Sequence, residues 1–188
     1  SFPTRRSSDL ITAPNGIAPN RALFWLFDKV VSIFRAVPFI ILLAAIAPFT
    51  KLIVGTQIGT TAALVPLSLG VFPFYARQVQ VALAEVDGGI VEAAQAVGAS
   101  FWDIVFGVYL REGRSEIIRV STVTLISLIG LTAMAGAIGA GGLGNMAISY
   151  GYNRFASDTT WVATILVLIF VLIVQLVGDF LAKKLSHK

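Results

Sequence analysis

The sequence predicts an all-α, polytopic membrane helical bundle. Three observations carry that prediction. Of 188 residues, 56% are apolar and only 13% charged, against roughly 25% charged in soluble domains; mean hydropathy is +0.85. Long stretches carry no charge at all. Prolines and glycines recur inside those stretches, where helices bundled in a bilayer tolerate them better than isolated ones do. The composition also excludes chemistry. There is no cysteine, so disulfide frameworks, thiolate zinc sites and cysteine nucleophiles are out. The single histidine, His187, leaves no His-rich metal site and no Ser-His-Asp triad. The net charge of +4 and pI near 9.7 read as basic flanks of membrane helices, not as a nucleic-acid face.

Taken in order, residues 1–10 (SFPTRRSSDL) are polar, cannot span, and lack the apolar core of a signal peptide. They read as an atypical junction segment foreign to the protein. Residues 11–20 (ITAPNGIAPN) read as a loop. A helix needs ~20 apolar residues to cross ~30 Å of hydrocarbon. Residues 36–50 supply 15 charge-free positions. Extended back through 25–31 they predict a first span at about 24–50, with the Arg35 guanidinium reaching the interface. Residues 52–76, 120–153 and 159–178 give charge-free runs of 25, 34 and 20, predicting spans at about 57–82, 115–138 and 159–182. Pro38 and Pro48 fall in the first span, Pro66 and Pro73 in the second. Each would cost ~3 kcal/mol inside a soluble helix, so kinked helices packed on partners are expected. Asp179 and Lys183 are placed to pair at i,i+4 near the end of the fourth span.

Four spans put both termini and the segment between spans two and three on one side. That side holds eight basic residues: Arg21, Arg77, Arg111, Arg114, Arg119, Lys183, Lys184 and Lys188. The other holds Lys51 and Arg154. The positive-inside rule makes the first side cytoplasmic.

The cytoplasmic segment concentrates the polar residues: positions 83–119 contain six of the ten acids. Asp87 is placed as an N-cap. Ile90, Ala94 and Val97 fall on one helical face, with Glu92 and Gln95 opposite. Gly98 is a stop signal. Ser100 with Asp103 predicts a capping box and a second short helix from Phe101 to about Leu110. Two short helices joined at 98–100 make a compact knob at the membrane face.

The run Glu92-Ala93-Ala94-Gln95-Ala96-Val97-Gly98 resembles the EAA motif, E-A-A-x-x-x-G, of bacterial ABC importer permeases. Residues 35–59 (RAVPFIILLAAIAPFTKLIVGTQIG), 85–98 and 133–155 (AMAGAIGAGGLGNMAISYGYNRF) are similar to the methionine-type ABC importer permease. The likeness covers about 11–188, and the glycine-rich stretch is its more specific part. The resemblance implies the ABC importer permease fold and a homodimer in the bacterial cytoplasmic (inner) membrane. It implies two cytoplasmic ABC ATPase subunits docked on the coupling segment 85–112, and an extracytoplasmic substrate-binding protein. The implied cargo is an amino acid, methionine in its L- or D-form or a close analogue, with another amino acid or small solute as the alternative. ATP and Mg would sit on the ATPase partner, leaving this chain without cofactor, metal or catalytic residue. The expected coupling residues are Glu92, Ala93, Ala94, Gly98, Ser100 and Asp103: small alanines permit close approach, and Glu92 supplies a charged contact. Two departures stand out. The family runs on to a Leu-Pro where this chain has Leu110-Arg111. It also has five spans with an outer amino terminus, where this chain offers four and SFPTRRSSDL stands in the place of the first.

Several of these motifs admit other readings. Gly139-Ala140-Gly141-Gly142-Leu143-Gly144 matches G-x-G-x-x-G, but a dinucleotide site needs a preceding strand, and a membrane helix precedes here. Helix breaking and close backbone packing account for the glycines better. No Walker A loop occurs, so an ATPase must be a separate subunit. Ser121, Thr122, Thr124, Ser127 and Thr132 are expected to bond their own helix or a neighbour. Tyr150, Tyr152, Arg154 and Trp161 read as an interfacial belt first and a receptor-docking edge second. Ser127, Gly130, Met134, Ala137 and Gly141 recur at helical steps and form the candidate translocation gate, with Met134 the one bulky member. A secondary carrier is disfavoured by the absence of a mid-span acid. A non-transporting scaffold is disfavoured by the proline kinks and glycine-rich stretch.

Overall fold

The computed structural model describes residues 36–186, together with Trp25, Lys29 and residues 31–33. Residues 1–10, read as a junction, lie outside the described residues. Every regular element among the described residues is helical. We number the helices α1 (Phe39–Ala45), α2 (Ala47–Val54), α3 (Thr60–Ala84), α4 (Gly88–Ala96), α5 (residues 101–112), α6 (Arg114–Ala135), α7 (Gly142–Asn145) and α8 (Ser157–Leu185).

α6 and α8 are long and apolar enough to cross a membrane. At 22 and 29 residues they reach ~33 and ~44 Å, beyond the ~30 Å hydrocarbon layer. α3, with 25 residues, also has the length; its two prolines, Tyr75 and Arg77 lower its apolarity. The span expected at 24–50 is the one that changes. Pro38 is the N-cap of α1, the chain breaks at Ile46, and Pro48 stands in the first turn of α2. Both prolines therefore occupy starts, where the missing N–H costs nothing, instead of helix interiors. Charge-free counting registers length and is blind to such breaks. Pro66 and Pro73 do lie inside α3, both buried.

The bundle packs through small residues. The buried residues of α8 are Ala163, Gly178 and Ala182, while Ile165, Leu168, Leu172 and Leu176 point outward and exposed. In water that surface would be an aggregation site; in lipid it is ordinary, and small residues supply the interhelical contact. Gly178 faces Thr122 with no room for a Cβ. Ser115 donates to the Ala182 carbonyl, 3.0 Å. α6 and α8 thus run antiparallel, with Lys183 and Lys184 at the same end as the segment from 85 to 113. The Asp179 carboxylate takes Gln175 Nε2 at 3.0 and 3.1 Å. This replaces the expected Lys183 pairing: the shorter Gln amide reaches Asp179 from one turn earlier.

At the opposite end, Thr60 donates to the Ala140 carbonyl, 2.8 Å, and the Gly59 N–H to that of Ile138, 3.2 Å. The start of α3 is thereby tied to the glycine-rich stretch. There Gly144 lies against the Ala133 backbone, and Gly136 against Gly144 and Asn145. The glycines do what was expected of them, closing backbones onto one another. The G-x-G-x-x-G letters follow the 3-10 turn Gly136–Ile138, not a strand. Besides Ser115, the five hydroxyls of α6 bond back into their own helix: Ser121, Thr122, Thr124 and Ser127 to the carbonyl four residues earlier, Thr132 to that three earlier.

Candidate coupling and translocation site

The helix–turn–helix beyond the α3 and α6 ends is fixed by its own caps. The Asp87 carboxylate accepts from the Gly89 N–H at 2.8 Å and starts α4. α4 closes at Gly98, whose φ of +79° suits glycine. The Gly98 N–H donates to Gln95 and the Ala99 N–H to Ala94, at 3.0 and 3.1 Å, which is a Schellman closure. α5 opens on the expected capping box. Ser100 Oγ accepts from the Asp103 N–H at 3.3 Å, and the Asp103 carboxylate accepts from Ser100 N–H and O–H at 3.0 and 2.6 Å. Those bonds, the Ser100 hydroxyl first and its N–H second, hold the Asp103 carboxyl below its ordinary range.

Two details of the expected knob need correction. The face that packs is Val91 and Ala94, against Ile104, Tyr109, Leu83 and Val86. Ile90 and Val97 are exposed, Val97 at 84%; the left-handed turn at Gly98 carries Val97 off the helical face that simple periodicity assigned it. The second helix ends at Glu112, two residues past the expected Leu110, and is not uniformly α-helical. It passes through a π-helical stretch, Ile104–Tyr109, and Gly113 caps it. With Arg111 in place of proline, nothing interrupts it. Gly113 then passes so close that a Cβ would meet the Tyr109 carbonyl at 2.7 Å and Leu83 at 2.9 Å. Burial pushes the Tyr109 phenol up, so it stays neutral.

Of the expected coupling residues, Glu92, Ala93, Gly98, Ser100 and Asp103 are exposed, and Ala94 is half-buried against Ile104 and Tyr109 of α5. The structure therefore brings Glu92 and Ala93 to the surface of a short, capped helix. It also presents a feature the sequence reading passed over. Trp102 and Phe106 stack at 5.7 Å, both exposed; their i,i+4 spacing was the available signal.

The expected gate is only partly one face. Ser127 and Gly130 lie on α6, Gly130 open to its surroundings, and Met134 is 39% exposed near the helix end. α6 stops at Ala135. Ala137 falls in a 3-10 turn, and Gly141, φ +81°, is the N-cap of α7. Helical periodicity therefore does not carry the stripe to Ala137 and Gly141, because Gly136 and Gly139 turn the chain. Near that end, the Arg154 guanidinium lies over the Tyr150 ring at 4.8 Å, with Tyr152 and Trp161 exposed, as an interfacial belt requires.

Bilayer-length helices packed through glycine and alanine, with a capped polar helix–turn–helix beyond one end, define an all-helical, multi-pass membrane protein. Comparison with known proteins agrees. The family described as binding-protein-dependent transport system inner membrane component matches residues 10–187. The probable D-methionine transport system permease protein MetI of Haemophilus influenzae is 47% identical over 178 residues, covering 95% of this chain and 84% of that one. The methionine import system permease protein MetP of Bacillus subtilis is 47% identical, covering 95% and 80%. A solved structure of the MetNI methionine ABC transporter, inward facing, superposes with a TM-score of 0.90 at 42% identity, covering 94% and 82%. The chain belongs to the family of inner membrane components of binding-protein-dependent transport systems.

Proposed function

We propose that this chain is the permease subunit of an ATP-driven importer whose cargo is methionine, in its L- or D-form, or a close analogue. It acts as a homodimer. Two cytoplasmic ABC ATPase subunits, which hold the ATP and Mg, grip the Glu92–Ala93 surface of α4, and an extracytoplasmic binding protein delivers cargo at the end carrying Tyr150 and Arg154. The observation that carries this reading is the exposed Glu92–Ala93 pair on a helix capped at both ends. Such a knob moves as a unit. Val91 and Ala94 pass its displacement to Ile104 and Tyr109, and the tight Gly113 contact with Leu83 and Tyr109 passes it to α3 and α6.

The reading is tested by reconstituting the full transporter in proteoliposomes and following ATP-dependent methionine uptake. Glu92→Lys should weaken ATPase co-purification about tenfold to a hundredfold, the ~1.5–3 kcal/mol of a charge-assisted contact. Unchanged co-purification and uptake would remove Glu92 from the interface.

Ser127, Gly130 and Met134 form the gate in this reading, with one Met134 from each subunit facing the path. Met134→Ala should raise ATP hydrolysed per methionine imported. An exposed methionine contributes little to packing, so stability should change by less than the ~2–5 kcal/mol of a buried one. A clearly lower melting temperature with normal coupling would make Met134 a packing residue instead.

A further inference from the structure

Beside the α6 face lies a cavity of about 430 Å³, walled by Pro38, Phe39 and Leu42 of the α1 start, Val71 and Phe74 of α3, and Ser127 of α6. This size falls within the ~300–1,000 Å³ of small-ligand sites. Phe39 and Leu42 are buried and belong to the main core, so these walls are firm. Among the described residues, none that lines the cavity is charged, and the side-chain hydroxyl there, that of Ser127, donates to the Val123 carbonyl at 2.9 Å.

These features select an occupant. Water needs two to four polar partners, and the side chains here offer one hydroxyl oxygen. A charged group would enter without compensation. An unbranched apolar side chain would recover the dispersion contacts that an empty cavity forfeits. Ser127 sits at the wall as one member of the Ser127–Gly130–Met134 face. With its O–H donated to Val123, its oxygen keeps a lone pair that can accept from the ammonium of an amino acid.

We infer that this cavity is a transient subsite for the apolar side chain of the amino acid in transit, whose charged head stays in the aqueous path beside Ser127. The inference rests on the proposed transport of methionine. It predicts selection by side chain within the permease itself: apolar linear chains enter, charged ones do not. Gly70 also lines the cavity, and a Cβ there would stand in ordinary contact with Phe39 at 3.4 Å and Leu42 at 3.9 Å.

The test uses the reconstituted full transporter and a methionine analogue carrying a side-chain diazirine. Methionine uptake by the unmodified transporter is measured first; its absence would defeat the functional reading itself. Given uptake, irradiation during turnover should label Phe39, Leu42, Val71 or Phe74, and excess methionine should suppress the label while excess lysine does not. Val71→Phe, which fills the cavity, should lower that labelling about tenfold, the scale of one mismatched apolar group in a pocket, with melting unchanged. If Val71→Phe does not fold, Val71→Leu serves with a smaller expected loss. Uptake with label confined to other residues overturns the subsite, as does label that methionine does not suppress. Label at these residues that is displaced by a diazirine-free phospholipid tail but not by methionine would make the cavity a lipid site and overturn it as well.

Discussion

Gly144→Val is expected to disrupt the end of the bundle that carries the glycine-rich stretch. A Cβ at Gly144 would overlap Ala133 Cα, sit 2.5 Å from its carbonyl oxygen and 2.8 Å from its carbonyl carbon. All three are backbone atoms of α6, so no rotamer change relieves the contact. Two residues on, Ala135 is fully buried, which closes off movement of α6 toward the core. Overpacking into side chains costs ~1–3 kcal/mol; against backbone the upper end or more applies. For a chain of this size, 3 kcal/mol lowers Tm by ~6–12 °C. Gly130→Ala is the matched control, since no atom lies within 4 Å of its added Cβ; alanine should stabilise α6 by up to ~1 kcal/mol. The measurement is thermal unfolding of purified protein in detergent. Equal melting of Gly144→Val and the native chain would mean that α7 does not lie on Ala133.

Much of this arrangement was legible in the residues, and what was not has physical reasons. Composition and charge-free runs located α3, α6 and α8 within a few residues, because bilayer thickness imposes a length that a single chain must meet. The caps were legible as well. Asp87, Gly98 and the Ser100–Asp103 box act within three residues, so their chemistry needs no tertiary information. Tertiary placement was not legible. Val91 packs and Ile90 does not because α5 folds back on one particular side of α4. A nine-residue helix has too few turns for periodicity to decide the side. The gate stripe failed beyond Met134 for a related reason: a 3.6-residue period presupposes a helix that continues, and Gly136 and Gly139 end it. The break at Ile46 was hidden because nothing in 36–49 is polar, so the hydrophobic pattern does not register it. The π stretch in α5 has no strong sequence signature. It follows from lodging Ile104 and Tyr109 in one cluster while Trp102 and Phe106 stay outside.

The packing of α6 on α8 gives the second large effect. Gly178→Ala should destabilise the bundle even though alanine favours a helix by ~1 kcal/mol over glycine. The new Cβ would overlap Thr122 Oγ1 and Cγ2 and stand 2.7 Å from Thr122 Cβ. Thr122 cannot swing away cheaply, because it is buried and its hydroxyl is held by the Ile118 carbonyl at 2.9 Å. The helices must therefore separate. Separation strains the Ser115–Ala182 bond two turns below, next to the coupling segment. Thr122→Ala should rescue Gly178→Ala only in part, since the Cβ contact remains. Thr122→Gly should rescue it further, less the ~1 kcal/mol that glycine costs in a helix. Residues in direct contact show coupling energies of ~0.5–3 kcal/mol, and this pair belongs at the upper end. The double-mutant cycle, read from thermal unfolding and from methionine uptake in proteoliposomes, separates this contact from general helix loss. Rescue in both readouts ties transport to the α6–α8 register. Strictly additive effects of the two substitutions would mean that Gly178 and Thr122 do not touch.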